Sequence, residues 1–497
     1  MIVATLFAKA LGLLRSMILA WTLGTSAEAA AFAAASRIPG ALFDLLFSAA
    51  IAACFIPEYS RAKTESEREA ACFSAAFFGD VLLFSAVLAC VGALFAPQII
   101  SVSAPKLSGE TAALAARLLA IMFPLTVFAA GAYTLTGILQ SAGAFLLPAS
   151  VSALSNAFMV IYLLLAGERF SVYALSAAYV FSWLLQFLTL AVPLVLKKHM
   201  PRPKIDFSGK RLRACLANAP KIMAGAMLSP ALLLAASFFA SFVSESAFVV
   251  YDYAYGIYSI VSGIAVYGVG NFVFPRLSHL FALGERAAAG RELARALSFA
   301  AAISLPLCAA VLSLSLDGVS LLYGHGNFGT ELVLSCAAAL KILSAAMPAC
   351  AAAEILSRTF YACGKTAVPA CAAVPALAVC VLANTASLFF GGGLFGICAS
   401  FTAAVWAHAL TLIFCAAKKF PEAFRTEEAK KLPLFAPAFA LCAASMAFLA
   451  QKSEFFSLFP ETIATFLKIT IVFIVGTVIY LICIYIMGFL SPEKEKR

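Results

Sequence analysis

Charge is what this chain has least of. Asp, Glu, Lys and Arg make up 12% of its 497 residues, against roughly 25% in soluble domains. A solvated surface cannot be drawn around a core with so few charges, which excludes a soluble enzyme or nucleic-acid binder. Histidine is scarce as well, with 4 in the chain, and no two stand at metal-ligand spacing. His325, within the external segment Tyr323 to Gly329, has no partner histidine. No HExxH, CxxC or nucleophile triad occurs, so catalysis and a structural zinc are not expected. The fourteen cysteines mostly lie in apolar runs (Cys90, Cys308, Cys380, Cys398), where they read as small buried hydrophobes. The glycine cluster Gly391 to Gly396 lacks the preceding strand and following lysine of a phosphate loop and reads as an external turn. No basic segment precedes the first apolar stretch, which is therefore expected to be a span and not a leader.

What fills the space is apolar sequence, 63% of all residues, in blocks near or above the roughly twenty needed to cross a hydrocarbon core about 30 Å thick. Membrane strands would be about ten residues long and alternating; these blocks are longer and do not alternate, so they are helices. Fourteen spans are predicted, near residues 2–23, 29–56 (interrupted by Pro39), 73–99, 117–139, 145–166, 172–196, 215–243, 248–274, 297–323, 332–355, 367–389, 393–416, 433–450 and 465–490.

The stretch Lys197 to Arg213 stands out, with seven Lys or Arg and two prolines in seventeen residues. It divides the chain, and its charge sets an orientation. Loops after even-numbered spans, with the tail, hold 24 basic residues and odd-numbered loops hold 3, Lys106, Arg169 and Lys452. By the positive-inside rule both termini are expected to be cytoplasmic. An internal repeat is also visible. Phe55–Ser60 (FIPEYS) matches Val273–Ser278 (VFPRLS), with prolines 218 apart, and Gly137–Pro148 matches Thr359–Pro369, with prolines 221 apart. The expected architecture is an all-α polytopic membrane protein of about 14 transmembrane helices. Two six-helix lobes are related by a pseudo-two-fold along the membrane normal, as in parallel-repeat transporters, with a final helix pair appended. The corresponding segments are 1–196, the basic linker 197–214, 215–416, a second linker 417–432, the pair 433–490 and a tail 491–497.

In such a chain the informative residues are polar ones at membrane depth, which are costly and face protein or water. Lys9 and Arg15 lie in the first span, six residues apart and about 120° off one face. Lys9 reads equally as a snorkelling lysine. Arg37 precedes Pro39, and Asp44 follows seven residues later on nearly the same face. In the seventh and eighth spans stand Lys221, Asp252 and the tyrosines 251, 253, 255 and 258. Tyr251, Tyr255 and Tyr258 share a helical face, which fits sugar or lipid contact or, more simply, helix packing. Lys341 and Glu354 are too far apart in the tenth span to pair directly. Lys468 reads as an anchor at the outer face.

The chain resembles the MurJ/MviN family of lipid II flippases, within the multidrug, oligosaccharidyl-lipid and polysaccharide exporter superfamily. The resemblance rests on Ala10–Gly24 (ALGLLRSMILAWTLG), Ser36–Gly40 (SRIPG), FIPEYS, Val273–Leu280 (VFPRLSHL), Leu321–Gly329 (LLYGHGNFG) and Phe360–Pro369, in order and spacing over almost the whole chain. It implies two lobes, alternating access, a lipid-facing groove formed by the last helix pair, and a cationic cavity suited to a diphosphate. The family's basic positions fall on Lys9, Arg15 and Arg37. Its acidic position at the second helix falls on Ala30, with Glu28 two residues away, and its next basic pair falls on Phe43 and Asp44. The eighth-helix arginine falls on Gly256, within a motif echoed by Tyr253 to Gly263, and the following glutamate falls on Ser259.

Each charge-assisted hydrogen bond to phosphate contributes roughly 1.5–3 kcal/mol, so the loss at Gly256 bears on diphosphate capture. The expected binding set is Lys9, Arg15 and Arg37. Asp252 or Glu28 is expected to supply a gating ion pair, with Asp44 and Tyr255 as secondary residues. The expected activity is movement of polyprenyl-diphosphate-linked muropeptide from the inner to the outer leaflet of the bacterial inner membrane, for peptidoglycan and cell-wall biogenesis. It needs no cofactor and draws on membrane potential or an ion gradient. Membrane lipids and cell-wall synthesis proteins are the candidate partners. The alternatives are export of another polyprenyl-linked sugar or amphiphile, and a non-transporting scaffold for envelope assembly.

Overall fold

The computed structural model describes residues 2–43, 51, 55–166, 171–206, 209, 213, 227–452 and 460–487. Long apolar runs satisfy their backbone in lipid only as helices, and helices are what these residues form. The chain divides into two compact units, Met1–Asp252 and Tyr253–Arg497.

The first unit holds α1 (Ile2–Leu23), α2 (Ala27–Phe43), α3 (Ile56–Glu65), α4 (Glu67–Leu94), α5 (Ala96–Ser103), α6 (Gly109–Met122), α7 (Leu125–Ser141), α8 (Leu146–Ala166), α9 (Val172–Leu196), α10 (Leu228–Ser241) and the first eight residues of α11 (Glu245–Ala282). Within it α1 packs on α8, α2 on α6, and α7 on α4 and α9. Its core gathers Phe55, Phe73 and Phe77, with Phe55 and Phe77 ring centroids 4.5 Å apart, against Ala129, Ala130, Leu135 and Leu190.

The second unit holds the rest of α11, then α12 (Arg286–Tyr323), α13 (Thr330–Ser344), α14 (Met347–Ala362), α15 (Ala367–Phe389), α16 (Gly393–Lys419), two short helices α17 (Pro421–Phe424) and α18 (Glu427–Lys431), α19 (Phe435–Gln451) and α20 (Glu461–Ile486). The hairpin α15–α16 and the 38-residue α12 organise it. The last pair, α19 and α20, packs on α12 through Cys442, Met446, Val472 and Tyr480, and the Tyr480 hydroxyl donates to the Ala301 carbonyl at 3.3 Å.

Among the described residues eight helices are long and apolar enough to cross a membrane, and ten spans result if each bent pair counts once. The chain is therefore an all-α multi-pass membrane protein. The bent pairs are α6–α7 at 40° and α13–α14 at 41°, where single straight spans near 117–139 and 332–355 were predicted. A proline without an N–H stands at each break, Pro124 and Pro348. Four more helices, α1, α2, α10 and α11, fall where the first, second, seventh and eighth spans were predicted. Three of these, α1, α2 and α11, carry Lys9, Arg15, Arg37 and Asp252.

Two expectations need correction. Pro39 does not interrupt α2, which runs through it with Ala29, Ala30 and Ala31 buried; packing of that alanine face outweighs one lost backbone bond. The third span ends at Leu94, and Pro97 opens the separate α5. The basic linker carries no regular secondary structure over residues 199–206. Its start is fixed to the first unit: Met200 packs against the core, Pro201 is buried, and the Lys204 N–H donates to the Ala75 carbonyl at 3.1 Å. A Cβ at Gly79 would lie 2.3 Å from the Lys204 carbonyl oxygen, so only glycine admits this strand of linker.

The two proline-terminated sequence matches share a local geometry, each within its own unit. Gly143 (φ +79°) and Gly364 (φ +74°) both close a helix in the left-handed conformation. The following residue donates back five positions in a Schellman-type cap: Ala144 N–H to Leu139 O at 2.9 Å, and Lys365 N–H to Phe360 O at 2.8 Å.

Candidate functional site in the first unit

Helix α2 sets the first element of the site. Its alanine face is buried against α6, which carries Arg37 into the interior with its side chain 7% exposed. A guanidinium cannot be left there unmatched, and α10 and α11 supply the match. Arg37 Nε donates to Asp252 Oδ1 at 2.9 Å, and a terminal nitrogen of Arg37 bonds the same oxygen. The other terminal nitrogen donates to Ser237 Oγ, whose own proton goes to the Leu233 carbonyl at 2.7 Å. The Phe248 ring centroid lies 4.9 Å from Arg37 Cζ and that of Tyr251 lies 5.8 Å away, a cation–π arrangement. Asp252 keeps 36% of its side chain exposed. The carboxylate is thus the accessible member of the pair and the cation the covered one.

Arg15 lies on α1 with its Cζ 5.9 Å from the Tyr179 ring centroid on α9, and Tyr179 meets Phe32 of α2 edge-on at 6.2 Å. Arg15 Nε is buried and has no hydrogen-bond partner among the described residues. Lys9 is half-buried one and a half turns earlier on the same helix. Between them Gly12 faces Asn156 of α8, whose amide donates to the Ala8 carbonyl at 3.2 Å. The three expected basic residues therefore all belong to the first unit, and of the two expected acidic partners it is Asp252 that Arg37 meets. Glu28 is exposed in the first turn of α2, away from that pair. Asp44 and Lys221 lie outside the described residues.

The tyrosine series divides. Tyr251 is buried beside Arg37 in the first unit. In the second, Tyr255 and Tyr258 pack edge-on against Phe401 at 5.6 Å each, and Tyr253 meets Tyr323 at a tilt and Phe328 edge-on. These are contacts between helices and their connecting segment. Gly256 has open space where a Cβ would stand. Lys468, expected to anchor at the outer face, pairs with Asp317 of α12 at 2.8 Å. Glu354 pairs with Arg358 on its own helix at 2.6 Å.

Sequence reasoning passed over Ser237, Asn156, Tyr179 and Asp317. A lone serine or tyrosine in an apolar run has no pattern to reveal it. Asp317 had a signal, an acid deep in a predicted span.

A many-span helical chain with a buried cation held by a part-exposed carboxylate fits the class of membrane transporters. The model of the family Lipid II flippase MurJ matches residues 19–489. The chain belongs to that family, as the sequence resemblance implied, and it is a membrane transporter and not an enzyme. Relatives named probable lipid II flippase MurJ include one from Buchnera aphidicola subsp. Acyrthosiphon pisum, 24% identical over 414 residues (82% of this chain, 81% of that one). Another is from Aquifex aeolicus, 25% identical over 368 residues (73% and 71%). The Burkholderia cenocepacia lipid II flippase MurJ is 27% identical over 395 residues (76% and 75%). Among solved structures, a lipid II flippase MurJ in an inward closed conformation superposes with TM-score 0.79 at 21% identity, covering 97% of both chains. An inward-facing multidrug resistance transporter of the MATE family gives 0.68 at 14%, covering 85% of this chain and 96% of that one. These likenesses show a shared fold.

Proposed function

We propose that the chain flips lipid-linked peptidoglycan precursor by alternating access, and that Arg37, Arg15 and Lys9 receive its diphosphate. In this reading fourteen helices cross the membrane, α1, α2, α10 and α11 among them, as two lobes related along the membrane normal plus the pair α19–α20. Both termini are cytoplasmic, and cell-wall synthesis proteins are the protein partners. The matching bends at Pro124 and Pro348 and the matching caps at Gly143 and Gly364 support the repeat. The observation that carries the mechanism is the Arg37–Asp252 pair. A guanidinium held by one carboxylate oxygen and a serine exchanges these for phosphate oxygens without ever being left unpaired in a low-dielectric site. Asp252 thus acts as a stand-in anion, displaced on capture and restored on release. The membrane potential is an adequate drive, since one charge crossing 100 mV gains about 2.3 kcal/mol.

The test is rescue of cells depleted of their own flippase, with accessible lipid-linked precursor scored in the outer leaflet. Failure of the wild-type chain at normal membrane abundance would sink the lipid II assignment. Gly256 and Ser259, standing where the family has arginine and glutamate, favour a second reading, export of another polyprenyl-linked sugar. It predicts no rescue by wild type and gain of rescue in Gly256→Arg.

A further inference from the structure

Seven basic residues fall within or at the edge of predicted spans. Three belong to the site above, Lys468 has Asp317, Lys221 lies outside the described residues, and Lys341 ends its short helix. Arg117 remains. It sits on α6 eight residues after Gly109, about 12 Å along the axis from the helix start. It is exposed, and it makes no ion pair or hydrogen bond among the described residues. A fixed guanidinium charge at that depth needs a counter-charge.

The surroundings indicate where one comes from. Arg117 lines a crevice of about 540 Å³ between α6 and the α4–α5 turn, with Ala93, Ala112, Ala113, Ala120 and Ser101. That volume falls in the roughly 300–1,000 Å³ range of small-molecule sites. Its walls are smooth methyls, and exposed Val91, Leu94 and Val102 adjoin it, as expected of a surface that meets lipid tails. Helical side chains lean toward the N-terminus, so Arg117 reaches toward the Gly109 end, where headgroups lie. At that end exposed Lys106 and Glu110 offset one another, and Glu245 is occupied by the Ser108 N–H at 2.7 Å. Arg117 is the one charged residue among those that line the apolar slot.

We infer that this crevice binds a single anionic phospholipid, its phosphodiester on Arg117 and one acyl chain along the alanine wall. The single guanidinium matches the one charge of a phosphodiester; a polyprenyl diphosphate would call for more. The site is separate from Arg37 and stands or falls independently of the flippase reading.

Native mass spectrometry of the delipidated full-length chain, titrated with phosphatidylglycerol or phosphatidylcholine, tests it. One phosphatidylglycerol should be retained about fivefold more strongly than phosphatidylcholine, the effect of one cation near a headgroup. Arg117→Gln should abolish that preference and Arg117→Lys should keep most of it. Ala113→Phe, which fills the slot and leaves the arginine, should lower occupancy as much as Arg117→Gln. Both altered positions are exposed, so folding is preserved. Unchanged phosphatidylglycerol occupancy in Arg117→Gln or in Ala113→Phe overturns the site, and so does displacement of the phospholipid by equimolar undecaprenyl diphosphate.

Discussion

The two units treat charge in opposite ways. The first carries Lys9, Arg15 and Arg37 along its helices and covers Arg37 with a carboxylate, a serine and two aromatic rings. The second uses its ion pairs as fasteners: Lys468–Asp317 ties α20 to α12, Glu354–Arg358 spans one helical turn, and Arg276–Glu292 at 3.3 Å joins α11 to α12. Gly256, where the sequence resemblance implies a further family cation, stands in the second unit. The first unit thus covers a cation beside a part-exposed carboxylate, while the second joins helices with its pairs.

The contrast breaks most decisively at Arg37. Arg37→Ala should abolish rescue of flippase-depleted cells while membrane abundance on immunoblots stays within about twofold, since losing a charged hydrogen bond costs roughly 2 kcal/mol. Arg15→Ala should weaken rescue less. Full rescue by both variants would remove the first unit's special role. Next comes the linker. Gly79→Val should drive residues 200–206 off α4, because even a Cβ meets Lys204 backbone. Trypsin should then cut between Lys197 and Arg213 several-fold faster than in wild type; an unchanged rate would mean the linker is not held there. Gly256→Arg probes the same contrast from the other side. With nothing near the added Cβ, it should leave the thermal midpoint unchanged and tighten retention of a lipid diphosphate roughly tenfold, the effect of one added charged contact.

Smaller effects belong to the fasteners. Lys468→Ala should lower stability by about 1 kcal/mol, for a pair between surface and core in character, without altering transport in cells. A transport defect at normal abundance would promote this pair from fastener to machinery. The least effect is expected at Lys204, in the linker, where the Asp206 carboxylate 3.0 Å away raises the amine above its ordinary value of 10.5. A raised folded value means a contribution fully present below the unfolded value and lost only as pH rises through the folded one. Linker cleavage should therefore be flat across neutral pH and quicken only in strongly alkaline buffer.

Much of this was legible from residues alone. Apolar blocks gave the helices, because in lipid a backbone has no other way to satisfy itself, and the two proline-ended sequence matches led to turns that carry the same glycine cap. Arg37 and Asp252 were both recognisable as polar groups at depth. What pattern could not reveal was that they meet, since 215 residues separate them. Ser237 and Tyr179 had no signal, being ordinary residues until a cation is placed beside them. Pro39 misled because a proline's local penalty is fixed while the packing that overrides it is not local. The partner of Lys468, Asp317, could not be read from the sequence, since it lies 151 residues away on another helix.

Composition and periodicity by themselves determined that this chain lives in a membrane as helices, and its motifs placed it in a family. Those properties follow from each segment's own balance between lipid, water and backbone. Tertiary structure alone decided which charges are covered, which are fastened and which, like Arg117, are left facing a crevice. That depends on which helix arrives beside which, and a charge in a low-dielectric interior is governed by its neighbours in space.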